Sequence, residues 1–88
     1  MHIRVTRSGG FAGFPLKAEL DTTGRPDAAE LERLATAVLT QTGPGPVAVV
    51  PDGYRYSVTV DDRTVEFADP KITEEQEELV ERVLRDGA

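Results

Sequence analysis

Residues 54–67 have the sequence YRYSVTVDDRTVEF, which carries the clearest hairpin pattern of the chain. Polar and apolar residues alternate in its first half, and its β-branched and aromatic content favours a strand over residues 54–60. Residues 61–63 are typical of a tight turn, and residues 64–67 then return as a second strand, which together predict an antiparallel hairpin. The aromatic residues expected to face inward from this hairpin are Tyr54, Tyr56 and Phe67.

A second hairpin is predicted nearer the start of the chain. Residues 3–7 and 16–21 also alternate between apolar and polar side chains, as half-buried strands do. Three glycines and a closing proline in residues 8–15 indicate a loop, because glycine adopts backbone angles that other residues avoid and proline cannot donate a ladder hydrogen bond. This connection is long for a hairpin, where about two to five residues are usual.

Two helices are predicted, one after each hairpin. The first begins at Asp27, which forms a D-x-x-E capping box with Glu30, and it ends at the Gly-Pro-Gly-Pro sequence of residues 43–46. The second begins at Thr73, whose T-x-x-Q pattern is another capping box, and Gly87 caps its end. Residues 47–50 are expected to form a brief extended piece under the sheet. The apolar stripes at helical spacing are Ala28, Leu31, Leu34, Ala35, Val38 and Leu39 in the first helix, and Leu79, Val80, Val83 and Leu84 in the second.

The predicted order of elements is therefore β-β-α-β-β-α. Four antiparallel strands with one apolar face, covered by two helices, form a two-layer α+β sandwich. The strand order within the sheet stays open. A chain of 88 residues is long enough for one core, so we expect a single domain over residues 1–88.

Composition excludes several classes of function. The net charge is −6, whereas a nucleic-acid binder needs a positively charged surface to neutralise phosphates. The chain has no Cys and a single His, at position 2, so a disulfide, a thiolate nucleophile and a histidine-based metal site are not expected. No apolar run approaches the roughly 20 residues that span a bilayer, and no signal segment opens the chain. We expect no membrane association and a cytoplasmic location, with export by another route left open.

The candidate catalytic and cofactor sites are weak. The pattern Gly9-Gly10-x-x-Gly13 matches neither the dinucleotide-binding nor the P-loop fingerprint, and a strand rather than a helix follows it. The acidic residues of the last helix are typical of a solvated face, and the two serines have no histidine partner that the sequence places nearby. We expect neither an enzyme nor a bound cofactor.

The aromatic residues of the first loop allow two interpretations. Phe11 and Phe14 fold back over the end of a thin core, or they are anchors that a pliable loop presents to the pocket of a partner protein. In the second case Arg7 and Ser8 flank the aromatic side chain with hydrogen-bond donors.

Residues 2–13, with the sequence HIRVTRSGGFAG, resemble the start of emfourin-type proteins. These are small bacterial inhibitors of protealysin-like, thermolysin-family zinc metallopeptidases. The resemblance extends to the order of elements and to residues 51–58, and it is most specific in the Arg-Ser-Gly-Gly-Phe-Ala-Gly segment. The positions that correspond to the loop pattern of the family are Arg7, Gly9, Gly10, Ala12 and Gly13.

The resemblance implies an inhibitor that blocks the active-site cleft of such a peptidase with the glycine-rich loop. Thermolysin-like clefts prefer a bulky apolar residue on the leaving side of the scissile bond, a role that Phe11 or Phe14 would fill. An alternative is a non-catalytic interaction module, such as an operon-encoded regulator with another partner. The residues expected to bind the partner are Arg7, Ser8, Gly9, Gly10, Phe11, Ala12, Gly13 and Phe14.

Overall fold

The computed structural model describes residues 1–9, 15–41, 53–69 and 72–87. The α+β prediction and both hairpins are confirmed, in the order β-β-α-β-β-α. The expected helix end at residues 43–46 and the extended piece at residues 47–50 lie outside the described residues. In the described part of the chain, no helix is long and apolar enough to cross a membrane. The elements are β1 (His2–Gly9), β2 (Leu16–Asp21), α1 (Ala28–Gln41), β3 (Tyr54–Val60), β4 (Arg63–Ala68) and α2 (Glu74–Asp86).

The sheet has the strand order β2-β1-β3-β4, and every neighbouring pair is antiparallel. The sequence leaves the strand order open, and the structure places β1 inside the sheet, between β2 and β3. Val5 of β1 lies opposite Ala18 on one side and Val58 on the other. Since directly opposed residues share a face, apolar rows cross the sheet and form the floor of the core.

The two helices cover this apolar face. The strands contribute buried residues such as Ile3 and Val58, and the predicted helix stripes supply the other layer. Burial of each large side chain contributes about 1.5–3 kcal/mol, which is the main favourable term in a chain without Cys. The helix residues that are buried are Leu31, Leu34, Ala35, Val38, Leu79, Val80 and Val83, while Leu39 and Leu84 are partly buried against them.

Local contacts set the ends of α2 and of the second hairpin. The predicted capping box of α2 is confirmed, because Thr73 Oγ1 accepts a hydrogen bond from the backbone N–H of Gln76 at 3.1 Å, and Gln76 Oε1 accepts one from the backbone N–H of Thr73 at 2.8 Å. Gly87 caps the other end, donating its N–H to the Val83 carbonyl at 2.7 Å. In the hairpin, Arg63 pairs with Val60 and belongs to β4, which leaves a turn shorter than predicted.

Ion pairs join the two helices at their exposed edges. Arg82 of α2 donates to Glu30 of α1 at 2.9 Å, and Arg25, which precedes α1, donates to Asp86 at 3.3 Å. Arg25 also donates to Asp27 at 2.9 Å, so both carboxylates of the predicted α1 capping box accept hydrogen bonds from arginines. Because both partners of each pair are reached by water, such pairs add little to stability.

Candidate functional site

The first strand ends at a glycine that no other residue replaces without strain. Gly9 has φ +92°, in the left-handed region, and a Cβ added there would lie 2.8 Å from the carbonyl oxygen of Gly53. The sequence predicts that Ser8 and Gly9 belong to the loop, and that boundary is wrong. They continue β1 because β3 extends far enough to pair with both of them, Arg55 opposite Ser8 and Tyr54 opposite Gly9.

The connection between the first two strands is held at both ends. Gly9 ends β1, and Leu16 begins β2 directly opposite Arg7. Residues 10–14 lie between them and outside the described residues. The sequence-based interpretations of Phe11 and Phe14, as a core plug or as binding anchors, therefore stay predictions, as do the roles of Gly10, Ala12 and Gly13.

Arg7 and Ser8 are neighbours in sequence but lie on opposite faces of the sheet. Arg7 is opposite Tyr56 and shares the helix-covered face with Val5, whereas Ser8 is opposite Arg55 on the other face, here called the open face. Since successive side chains of a strand alternate between faces, these two donors lie on opposite sides of the sheet, and their predicted place beside an aromatic residue of the loop stays a prediction.

Arg7 packs on an aromatic ring at the end of the helix-covered face. Its guanidinium carbon lies 4.5 Å from the centre of the Tyr54 ring, which is the geometry of a cation–π contact. The backbone of Tyr54 is fixed by Asp69, just beyond β4. The Tyr54 N–H donates to Asp69 Oδ2 at 3.2 Å, and the Asp69 N–H donates to the Tyr54 carbonyl at 3.0 Å.

Tyr56 adds a second contact to Asp69 from beneath. Its hydroxyl donates to the Asp69 carboxylate at 3.4 Å, and its ring stacks on Phe67 with 5.2 Å between ring centres. Burial, and after it the negative charge of Asp69, raise the pKa of Tyr56 to about 12. The phenol is thus held in its neutral form, in which it donates a hydrogen bond to Asp69.

A groove runs between this end of the sheet and the first turns of α2. Arg7, Tyr54 and Asp69 line one wall, and Ile72, Glu77 and Glu81 line the other. Sequence reasoning missed Asp69 and this wall of α2, because no short motif links them to the first loop. One local signal was present, since Arg7 is a charged residue at an inward-facing position of β1.

The described residues hold no group of three His, Cys, Asp or Glu side chains arranged to bind a metal ion. Arg7 offers hydrogen-bond donors, and the partly buried ring of Tyr54 lies beneath its guanidinium. The geometry suits recognition of another molecule by shape, stacking and hydrogen bonding.

Comparison with known proteins adds the family. The chain matches the Emfourin family over residues 5–84. It belongs to that family. Emfourin proteins are known as inhibitors of protealysin-type metalloproteases and are not enzymes, so the expectation of a non-catalytic protein is confirmed. No curated protein and no solved structure matches the chain.

Proposed function

We propose that this Emfourin domain, taken as residues 1–88, inhibits a protealysin-like, thermolysin-family zinc peptidase by placing residues 10–14 in the active-site cleft. The family match over residues 5–84 is the observation that carries the proposal. An inhibitor of this kind needs no nucleophile or cofactor, because a preorganised surface that fills the cleft is sufficient.

The ends of the connecting segment support this assignment. Gly9 is fixed by its pairing with Tyr54, and Leu16 is fixed by its pairing with Arg7, so both ends of residues 10–14 are anchored at one end of the sheet. Anchoring of this kind lowers the entropy that a loop loses on binding. Phe11 or Phe14 then fills the apolar pocket on the leaving side of the scissile bond, and loop backbone groups pair with the enzyme in an extended, substrate-like manner.

Blocking of the cleft is a simpler mechanism than strong binding to the zinc ion of the peptidase. The chain has no Cys, and its single His, His2, is at the opposite end of β1 from the loop. A direct zinc ligand would have to be an oxygen atom, from a backbone carbonyl, a carboxylate or Ser8. We therefore propose that residues 10–14 exclude the substrate without supplying a strong ligand.

The experiment is a titration of a purified protealysin-like peptidase with the domain, using a small fluorogenic peptide substrate. Replacement of Arg7, Gly10 and Phe11 together is expected to weaken inhibition by well over tenfold, where each decade is about 1.4 kcal/mol. Arg33→Ala, an exposed change on α1, is the control and is expected to retain full potency. Unchanged inhibition by the triple variant, with an intact thermal transition, would remove the loop from the mechanism.

A wild-type domain that leaves the peptidase fully active would favour the alternative, an interaction module with a different protein partner. A thermolysin-like peptidase gene beside the gene for this chain favours the inhibitor.

A further inference from the structure

We propose that the peptidase approaches the domain from the helix-covered side of the loop and binds the surface formed by Arg7, Leu16 and Tyr54, here called the helix-side ledge. This inference rests on the proposed function and adds to it the face of contact, a residue outside the loop and the chemistry of the partner segment. The partner segment is extended peptide backbone that carries an apolar side chain.

Leu16 is the apolar part of the ledge. This residue is 48% exposed, and among the residues that the structure describes it is the one large apolar residue that is exposed to this degree. Its strand neighbours on the same face, Ala18 and Leu20, are buried under the helices. A lone exposed leucine is ordinary on a protein surface, but this one lies directly opposite Arg7, two residues after the proposed inhibitory segment. A partner that covers that segment from this side also buries Leu16.

Arg7 is the polar part of the ledge. Its guanidinium lies over the Tyr54 ring and, within the described residues, forms no ion pair with a carboxylate. Because a stacked guanidinium keeps its N–H groups at its rim, Arg7 retains donors for an acceptor on the partner. The stacking fixes the direction of those donors before the partner arrives.

The charges around Arg7 select the kind of acceptor. Asp69, Glu77 and Glu81 line the same groove, so an incoming carboxylate would be repelled by three nearby carboxylates. A neutral backbone carbonyl avoids that repulsion and still accepts from the guanidinium. The ledge thus fits backbone that offers a carbonyl to Arg7 and packs an apolar side chain on Leu16.

The open face is less suited to this partner, because several of its polar groups already bind one another. Glu19 accepts from Arg4 at 3.0 Å and lies 3.1 Å from His2 Nε2, and the hydroxyls of Thr59 and Thr64 are 2.9 Å apart. Beside residues 10–14 this face presents the polar residues Ser8, Lys17 and Arg55, so a partner bound there would desolvate polar groups and would not meet an exposed leucine.

The test compares inhibition constants of single variants on the two faces, measured with the same peptidase and peptide substrate. Leu16→Ser and Arg7→Glu alter the ledge. Lys17→Ser, the next residue on β2, and Arg55→Glu, the residue after Tyr54, are matched changes on the open face. Each ledge variant is expected to weaken inhibition by about tenfold or more, as central interface residues do, and each open-face variant by less than about threefold. Thermal unfolding checks that the folds are intact.

Three results would count against the inference. If Leu16→Ser inhibits as strongly as the wild type, the inference is overturned, even when Arg7→Glu inhibits poorly. Arg7 could in that case act through the loop alone. Equal losses from the open-face variants also overturn it, since the partner then spans both faces. A wild-type domain that neither binds nor inhibits the peptidase overturns the proposed function and this inference together, whereas the first two results leave the proposed function standing.

Discussion

The guanidinium of Arg7 lies 4.5 Å from the centre of the Tyr54 ring, which joins the end of β1 to the beginning of β3. Tyr54 is in turn hydrogen-bonded to Asp69, which directly follows β4. Three strands are thereby connected at the end of the sheet from which residues 10–14 depart. The end of β1 that leads into residues 10–14 is therefore held by residues far from it in sequence.

Gly9→Ala is expected to impair both folding and inhibition. The new Cβ would lie 2.8 Å from the carbonyl oxygen of Gly53, and φ +92° is unfavourable for alanine by roughly 1–2 kcal/mol. Relief of the clash moves the end of β1, so we expect inhibition to weaken by about tenfold or more, as in loops that lose preorganisation. Denaturant unfolding and the inhibition constant measure the two effects.

Gly24→Ala is the matched control for this change. Gly24 also has a positive φ, of +80°, but a Cβ there has nothing within 4 Å, and the residue precedes α1, away from the first loop. It should lose a comparable amount of stability from backbone strain and keep its inhibition constant. Equal losses of inhibition in the two variants would show that the effect of Gly9→Ala comes from lower stability alone.

Tyr56 is expected to ionise only at high pH. The chain has two tyrosines, so Tyr54→Phe leaves Tyr56 as the single reporter of tyrosinate absorbance. The titration should have its midpoint at a pKa of about 12 in place of the ordinary 10.0. Because the folded-state pKa is raised, the stability contributed by the neutral phenol is complete below pH 10 and is lost as the pH rises toward 12.

Asp69→Asn, made in the same background, tests the second cause of that shift. Removal of the negative charge should lower the pKa of Tyr56, although not to its ordinary value, because burial is the larger cause. A titration curve that does not move would contradict the contact between the Tyr56 hydroxyl and Asp69.

Thr73→Ala is expected to destabilise the domain by about 1 kcal/mol, the usual cost of losing an N-cap. The variant loses the hydrogen bond from Gln76 N–H and the bond that Thr73 donates to Gln41 Oε1 at 2.9 Å. For a domain of this size the melting temperature should fall by roughly 4–8 °C. Thr36→Ala, exposed in the middle of α1, should change stability by less than about 0.5 kcal/mol. A Thr73→Ala melting curve that overlays the wild type would contradict this role of the capping box.

Acid unfolding should depend on the pair formed by Arg25 and Asp27. The hydrogen bond from Arg25 holds the pKa of Asp27 below its ordinary 3.8. A lowered folded-state pKa contributes stability that is complete above 3.8 and is lost as the pH falls through the folded value. Asp27→Asn should flatten the acid limb of a stability–pH profile, and Arg25→Ala should flatten it similarly. The double variant should match Arg25→Ala, since that single change already removes the bond to Asp27 together with the bond to Asp86. Additive effects would contradict the pairing.

The elements followed from the sequence because they depend on local patterns. The alternation of residues 54–60 and the T-x-x-Q pattern at Thr73 each fix a boundary within a few residues, and the structure has β3 at Tyr54–Val60 and the capping box at Thr73. The end of β1 did not follow, because Ser8 and Gly9 lie in a glycine-rich run that indicates a loop. They are drawn into the strand by β3, some 45 residues later in the chain.

The candidate site was only partly predictable for the same reason. Arg7 was selected from its position beside the loop, but its contact with Tyr54 requires the pairing of β1 with β3, which no short motif encodes. Asp69 is one of many acidic residues, and only the return of β4 places it against Tyr54 and Tyr56. Leu16 had the parity of a core residue. It is nevertheless 48% exposed, because alternation along a strand reports the face of a residue and not whether anything covers that residue.

The inner position of β1 bears on what happens if the target enzyme cuts the segment that blocks it. A nick within residues 10–14 would divide the chain into a short N-terminal piece and the remainder, yet β1 is flanked by β2 and β3 and carries the buried side chains of Ile3 and Val5. The hydrogen bonds of β1 to both neighbouring strands and its buried side chains would hold the N-terminal piece in the sheet. The two ends of the cut would therefore stay close together. Such a protein stays bound after hydrolysis and is poised for resealing of the peptide bond, instead of being released as two inactive fragments.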